Sequence, residues 1–232
     1  MIWRADKRWS DQTAFILGGG PSLRGFDASV LKRPGWRVLA VNDSWRLAPW
    51  LDCLYFTDES WFVDQMQRDL WSLDRTINFG QLMYTKTFVN GGYSPVFKEH
   101  PQVRQLKFTG QEGLEKSPEG LRHGSSSCYA AMNLAYHFGV KRIVLLGMDM
   151  RVVDGRTHWH DSPRPDGYAS VISLSHLPSF ATLVEPLKEA GVEVLNATKD
   201  SALTCWSEIS LRALIEPEGE QLWPQTHRVE SV

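Results

Sequence analysis

Cysteine is scarce in this 232-residue chain. Cys53, Cys128 and Cys205 are odd in number, far apart and form no CxxC pair. That excludes a disulfide framework and a zinc knuckle, and it suits a reducing compartment. No apolar run approaches the ~18 residues of a membrane span. The opening MIWRADKRWSD has no signal-peptide core, so a cytoplasmic chain is expected, without a membrane span. Charge of one sign is missing too: 25 Lys and Arg stand against 27 Asp and Glu, a net −2. No overall basic excess points to tight nonspecific nucleic-acid binding, although a local patch is compatible with that balance. Internal repeats and low-complexity segments are absent.

The composition that remains is 42% hydrophobic, enough for one domain with a core. Ten tryptophans are many for this length. They admit two readings, an aromatic-rich core or an aromatic face for sugars or bases.

Short β-branched apolar runs alternate with helical patterns. Strands are expected at Ala14–Leu17, Trp36–Asp43, Cys53–Ser60, RIVLLG ending at Gly147, and VEVLN ending at Asn196. Helices are expected over WFVDQMQRDL, over the stripe Ala130, Ala131, Leu134, Ala135 and Phe138, from Pro178 to Ala190, and over SEISLRALI. Ser125–Ser127 can cap the second of these, and Gly139 can end it. The region of about 72–123 carries many Gly and Pro turn signals and reads as an irregular insertion, with short strands near Ile77–Phe79 and Gln105–Phe108. The expected architecture is α/β: one Rossmann-like, mostly parallel sheet with helices on both faces, over residues 1–216. A polar tail follows at 217–232.

In such sheets ligands bind beyond the C-terminal strand ends. Polar residues collect there: Gly18–Ser22, Asn42-Asp43, Thr57-Asp58, Asp149 and Asn196. The turn GGGPSL is neither a GxGxxG fingerprint, since Leu23 holds the last glycine position, nor a Walker A loop. Gly18, Gly19 and Gly20 let the backbone approach a bound group and adopt positive φ. Pro21 and Ser22 can open a helix whose N–H groups suit an anion, and a plain tight turn is the other reading. Asn42 and Asp43, about 20 residues on, suit a ribose or simple turn chemistry. In THWHD, His158, His160 and Asp161 can line one side of an extended loop. Metal binding, substrate or acid–base work, and loop structure all remain open for them. No Gly-x-Ser-x-Gly elbow appears, and Asp58-Glu59 is not an Asp-x-Asp metal pair, so metal-independent chemistry is preferred.

ILGGGPSL, then VLAVNDSW, then SSSCYAAMNLAYHFGVKRIVLLGMDM together resemble the bacterial sialyltransferases of glycosyltransferase family 42. They are also similar to a broader set of phage and prokaryotic relatives that includes 6-hydroxymethylpterin diphosphokinase-like proteins. The resemblance spans roughly Ala14 to Leu203 and is patchy in the middle. It implies a nucleotide-sugar donor as co-substrate, with no tightly bound cofactor. The nucleotide cleft is expected to be lined by Gly18, Gly19, Gly20, Pro21, Ser22, Asn42, Asp43, Ser126, Ser127, Asp149 and Ser201; of these the resemblance carries Gly18, Gly20, Pro21, Ser22, Asn42, Ser127 and Ser201, and it makes His176 in SLSHLPSF the general base. Two departures qualify it. Gly19 stands where the family usually has Asn, and Arg151 stands where a tyrosine assists the departing phosphate. An arginine can neutralise that phosphate by charge.

The expectation is a nucleotide-sugar-dependent glycosyltransferase of phage type. His176, Arg151, His158 and His160 would do the chemistry, and the acceptor would be a glycan or a hydroxylated DNA base. Two alternatives stand beside it. One is an ATP-dependent pyrophosphokinase acting on a small hydroxymethyl compound with a divalent metal. The other is a nucleotide-binding phage protein without turnover.

Overall fold

The structure, a computed structural model, describes residues 2–71, 79–92, 94–161 and 167–216. Among them eight strands form one sheet: β1 (Thr13–Leu17), β2 (Trp36–Val41), β3 (Cys53–Phe56), β4 (Thr87–Gly91), β5 (Val103–Gly110), β6 (Gly120–Arg122), β7 (Arg142–Leu146) and β8 (Glu193–Asn196). Their order is β6-β5-β4-β3-β2-β1-β7-β8, and every neighbouring pair is parallel. The fold is α/β.

Each central strand is apolar on both sides. Ala14, Ile16, Leu39, Val41, Cys53, Tyr55, Ile143 and Leu145 face one core. Phe15, Leu17, Val38, Ala40, Leu54, Phe56, Val144 and Leu146 face the other. Two-sided burial is why these strands read as continuous apolar runs rather than alternating ones. The first core packs against α3 (Ser127–His137) and against Phe180, Leu183 and Leu187. The second packs against Phe62 of α1 (Glu59–Trp71) and Phe79 and Met83 of α2 (Phe79–Thr85).

Helix α3 starts as its sequence indicates. The Ser126 Oγ accepts the Cys128 N–H at 3.3 Å. It ends at Gly139, whose φ of +79° suits glycine. It is buried on nearly every side, since it lies between the sheet and the segment carrying Phe180. That segment is one composite helix. It runs α4 (Tyr168–Val171), a π turn at Ile172–His176, α5 (Leu177–Ser179), a 3-10 turn at Phe180–Leu183, and α6 (Val184–Glu189). Pro186 is tolerated because the 3-10 turn restarts the helix at Val184, which puts the proline in a first turn.

Several expectations need correction. The region of about 72–123 is not an irregular insertion in its described part. It supplies α2 and strands β4, β5 and β6, which extend the main sheet. Its turn-rich sequence hides them because β4 runs directly into Gly91-Gly92 and β6 is three residues long. The strand expected near Ile77–Phe79 lies partly outside the described residues, and Phe79 opens a helix. Over SEISLRALI, only α7 (Leu211–Ile215) is helical. Glu208 bridges to Asn196, and the Ile209 N–H bonds the Asn196 carbonyl, extending the β8 edge. The tail at 217–232 lies outside the described residues.

Candidate functional site

From β1 the chain builds the sheet outward through β2 to β6, then returns to the opposite side of β1 as β7. This reversal opens a crevice beyond the C-terminal ends of β1 and β7. Gly18–Gly20 and Gly147–Asp149 meet there. The Gly18 N–H donates to the Leu146 carbonyl at 2.8 Å, and the Gly20 N–H to the Gly147 carbonyl at 2.8 Å. None of Gly18, Gly19 and Gly20 has positive φ, contrary to expectation. Room is what they supply. A Cβ at Gly18 or Gly20 would sit 2.6 Å from the Gly147 oxygen, and at Gly20 it would also collide with Asp149 Oδ2.

The helix expected after this turn is only a three-residue 3-10 turn, Pro21–Leu23. Its anion is internal. The Ser22 N–H donates to Asp149 Oδ1 at 3.0 Å and the Ser22 hydroxyl to Oδ2 at 2.7 Å. Burial pushes the Asp149 pKa up, and the Ser22 hydrogen bonds oppose that shift. Gly18, Pro21 and Ser22 therefore brace the site from behind and do not line it. Arg151 is also elsewhere: its Nε donates to the Asp200 carbonyl at 2.7 Å, away from the lining. Ser201 serves a turn outside the lining, donating to the Met148 carbonyl at 2.5 Å and accepting the Leu203 N–H.

Ten expected residues do converge on one cleft of about 280 Å³: Gly19, Gly20, Asn42, Asp43, Ser126, Ser127, Asp149, His158, His160 and His176. Asn42 follows β2 with φ +48°, and its buried Oδ1 has no hydrogen-bond partner among the described residues. An orphan acceptor at a strained position is costly to keep, so it marks a contact reserved for something else. Asp43 is held differently. It accepts the Trp61 indole N–H at 2.9 Å and lies 3.8 Å from His160 Nε2.

The THWHD loop folds back onto the glycine turn. The Trp159 N–H donates to the Gly19 carbonyl at 3.0 Å, and its indole N–H to Ser44 Oγ at 3.1 Å. His158 and His160 then stand 5.2 Å apart, centroid to centroid, on the cleft side. Across from them the α3 N-terminus presents Ser126, Ser127 and Cys128, with Ser127 Oγ 3.0 Å from Thr57 Oγ1. Burial pushes the Cys128 thiol up to about 12, so it stays protonated and is no nucleophile at neutral pH.

His176 sits on the π turn. Tyr168, Ile172 and His176, four residues apart, all line the cleft. On a straight α-helix the third would sit about 80° round from the first, and the wider π turn brings it back toward the line. The Tyr168 ring lies 5.3 Å from His158 and 6.1 Å from His176. Burial pushes the His176 imidazole below its ordinary pKa, which keeps it neutral and able to accept a proton near pH 7. Sequence reasoning missed Ser44, Cys128, Thr157 and Tyr168. The only signal for Tyr168 was its four-residue spacing to Ile172 and His176. Among the described residues no three His, Cys, Asp or Glu side chains converge to hold a metal ion, and no tryptophan lines the cleft.

No family model and no curated protein matches the chain. Solved structures do. The sialyltransferase CstII from Campylobacter jejuni, in complex with the substrate analogue cytidine-5′-monophosphate, is similar with a TM-score of 0.52 and 14% identity. That match covers 86% of this chain and 85% of that one. The sialyltransferase CST-II in complex with a trisaccharide acceptor and CMP gives 0.55 and 13%, over 85% and 86%. The chain shares the fold of these sialyltransferases. At this identity the likeness is one of fold. Among the described residues no helix is long and apolar enough to cross a membrane.

Proposed function

We propose that this chain is a nucleotide-sugar-dependent glycosyltransferase that works without a resident metal. The observation that carries the reading is the meeting, in one cleft at the sheet's switch point, of three things. They are the orphan Asn42 Oδ1, the α3 N-terminus and the neutral imidazole of His176. Asn42 Oδ1 accepts a donor from the nucleotide. The positive end of α3, with Ser126 and Ser127, faces the donor phosphate, a position where an oriented dipole stabilises an anion. The neighbours' CMP and trisaccharide complexes support a nucleotide and a sugar acceptor as the ligand classes.

His176 removes the proton from an acceptor hydroxyl, on a glycan or a hydroxylated DNA base. The acceptor oxygen bonds the anomeric carbon as the carbon–oxygen bond to phosphate breaks, and the nucleotide leaves as an anion. With Arg151 outside the lining, the leaving phosphate relies on the α3 terminus and on His158 and His160. The test is a panel of nucleotide sugars assayed for nucleotide release with chelator present. Turnover should survive chelation and fall about 10²–10⁴-fold in His176→Ala with donor binding retained. Undiminished turnover in that variant would remove His176 from the chemistry. Turnover only with ATP and magnesium would replace the reading with pyrophosphate transfer.

A further inference from the structure

Among the described residues the cleft lining includes Asp43, Asp58 and Asp149 but neither lysine nor arginine. Cations gather one residue away. On the far side of the Trp159-His160 wall lies an open groove of about 530 Å³ lined by Arg24, Arg46, Arg68, Trp159, His160 and Asp161. His160 lines both spaces. In a chain of net charge −2, three arginines converging beside the cleft form a local concentration.

Two of the three are held at long range. Arg24 lies 3.4 Å from Asp161, and Arg46 lies 3.8 Å from Asp43. Arg68 pairs with Asp64 at 2.7 Å on its own helix. These side chains are 55%, 46% and 58% exposed, and pairs that exposed contribute little to stability. Arg46 also stacks over the Trp159 ring, 5.4 Å from its centroid.

We infer that this groove binds the phosphodiester backbone of a single-stranded nucleic acid, the acceptor strand, and leads its hydroxyl-bearing unit past His160 into the cleft. The inference rests on the glycosyltransferase reading for the second step only. Three guanidinium forks along one groove suit a chain with a phosphate at every unit. The arginine–indole stack gives a flat platform on which an unpaired base can stack, and a carboxylated glycan has no π-face to make that contact.

The test is fluorescence anisotropy with a labelled twelve-nucleotide oligothymidylate, read over a salt series. The native chain should bind at low salt, with a log–log slope of about −2 for three phosphates. The triple variant Arg24→Gln, Arg46→Gln, Arg68→Gln should bind at least about tenfold more weakly and lose most of that slope. The triple lysine variant, which tests folding and charge together, should keep the slope. Three results would overturn the inference: no binding by the native chain at low salt, equal binding by the glutamine variant, or tighter binding of a polysialic acid of equal charge. Nucleotide binding to the cleft, measured on the same samples, separates the two readings. The groove can fail with that binding intact, and the cleft can fail with oligonucleotide binding intact.

Discussion

Replacing Gly20 by alanine tests how the glycine turn is built. Gly20 has φ −67° and ψ 156°, which alanine adopts without strain, so any cost is steric. The new Cβ would lie 2.6 Å from the Gly147 oxygen, against an ordinary contact of 3.4 Å or more, and would collide with Asp149 Oδ2. Gly147 cannot recede without stretching its 2.8 Å bond from the Gly20 N–H, and Asp149 cannot swing without leaving Ser22. Overpacking costs about 1–3 kcal/mol and a lost bond to a charged acceptor about 1.5–3, giving roughly 2.5–6 kcal/mol together. For a chain of this size that lowers Tm by about 5–24 °C. Gly19→Ala is the contrast. Among the described residues its Cβ meets only the His158 ring, at 2.8 Å, and a side-chain rotation relieves that for about 1 kcal/mol or less. Urea denaturation of both variants, with nucleotide binding alongside, checks the difference. Gly20→Ala should unfold early. Gly19→Ala should stay stable but bind nucleotide less well, because His158 moves. Equal loss of stability in the two would refute the steric account.

Asn42→Gly should leave stability unchanged or raised, since it removes a buried unpaired acceptor and a positive-φ strain. It should weaken nucleotide binding about tenfold, read by calorimetry. The kcat/KM profile should show an acid limb below 6.5, the ordinary imidazole value from which burial depresses His176, and a plateau through neutral pH. A limb above that value would oppose the assignment. His137, buried with its Nε2 2.9 Å from the Gly120 carbonyl, is likewise depressed by burial. The unfolded chain therefore binds that proton more readily. The stability contributed is present above 6.5 and is lost as pH falls through the depressed value. Urea midpoints should decline over that window, less so in His137→Gln.

The strands that flank the site were legible because two-sided burial makes them plain apolar runs bounded by glycine or polar residues. The capping of α3 was legible for local reasons, with Ser126 and Gly139 in their expected places. β4 and β6 were not, because strand pairing with β3 and β5 makes up for weak local sequence. At the site, a residue type indicated a need without showing its cause. Gly18–Gly20 signalled backbone freedom, whereas the structure uses their lack of a Cβ. Ser22 signalled an anion, and the anion is Asp149, 127 residues away. Arg151 followed a family position, but its hydrogen bond to Asp200 turns it from the cleft. His176 was found by its neighbourhood, and its aim depends on a π turn that no local pattern announces.

Imidazole NMR during titration with cytidine monophosphate tests most directly whether the cleft is a nucleotide site. His158, His160 and His176 line it, while His137 lies at the far end of α3. The account predicts that the first three resonances shift together and saturate at one dissociation constant, with His137 unmoved. Saturable binding that leaves those three unchanged, or that shifts His137 in their place, would contradict it.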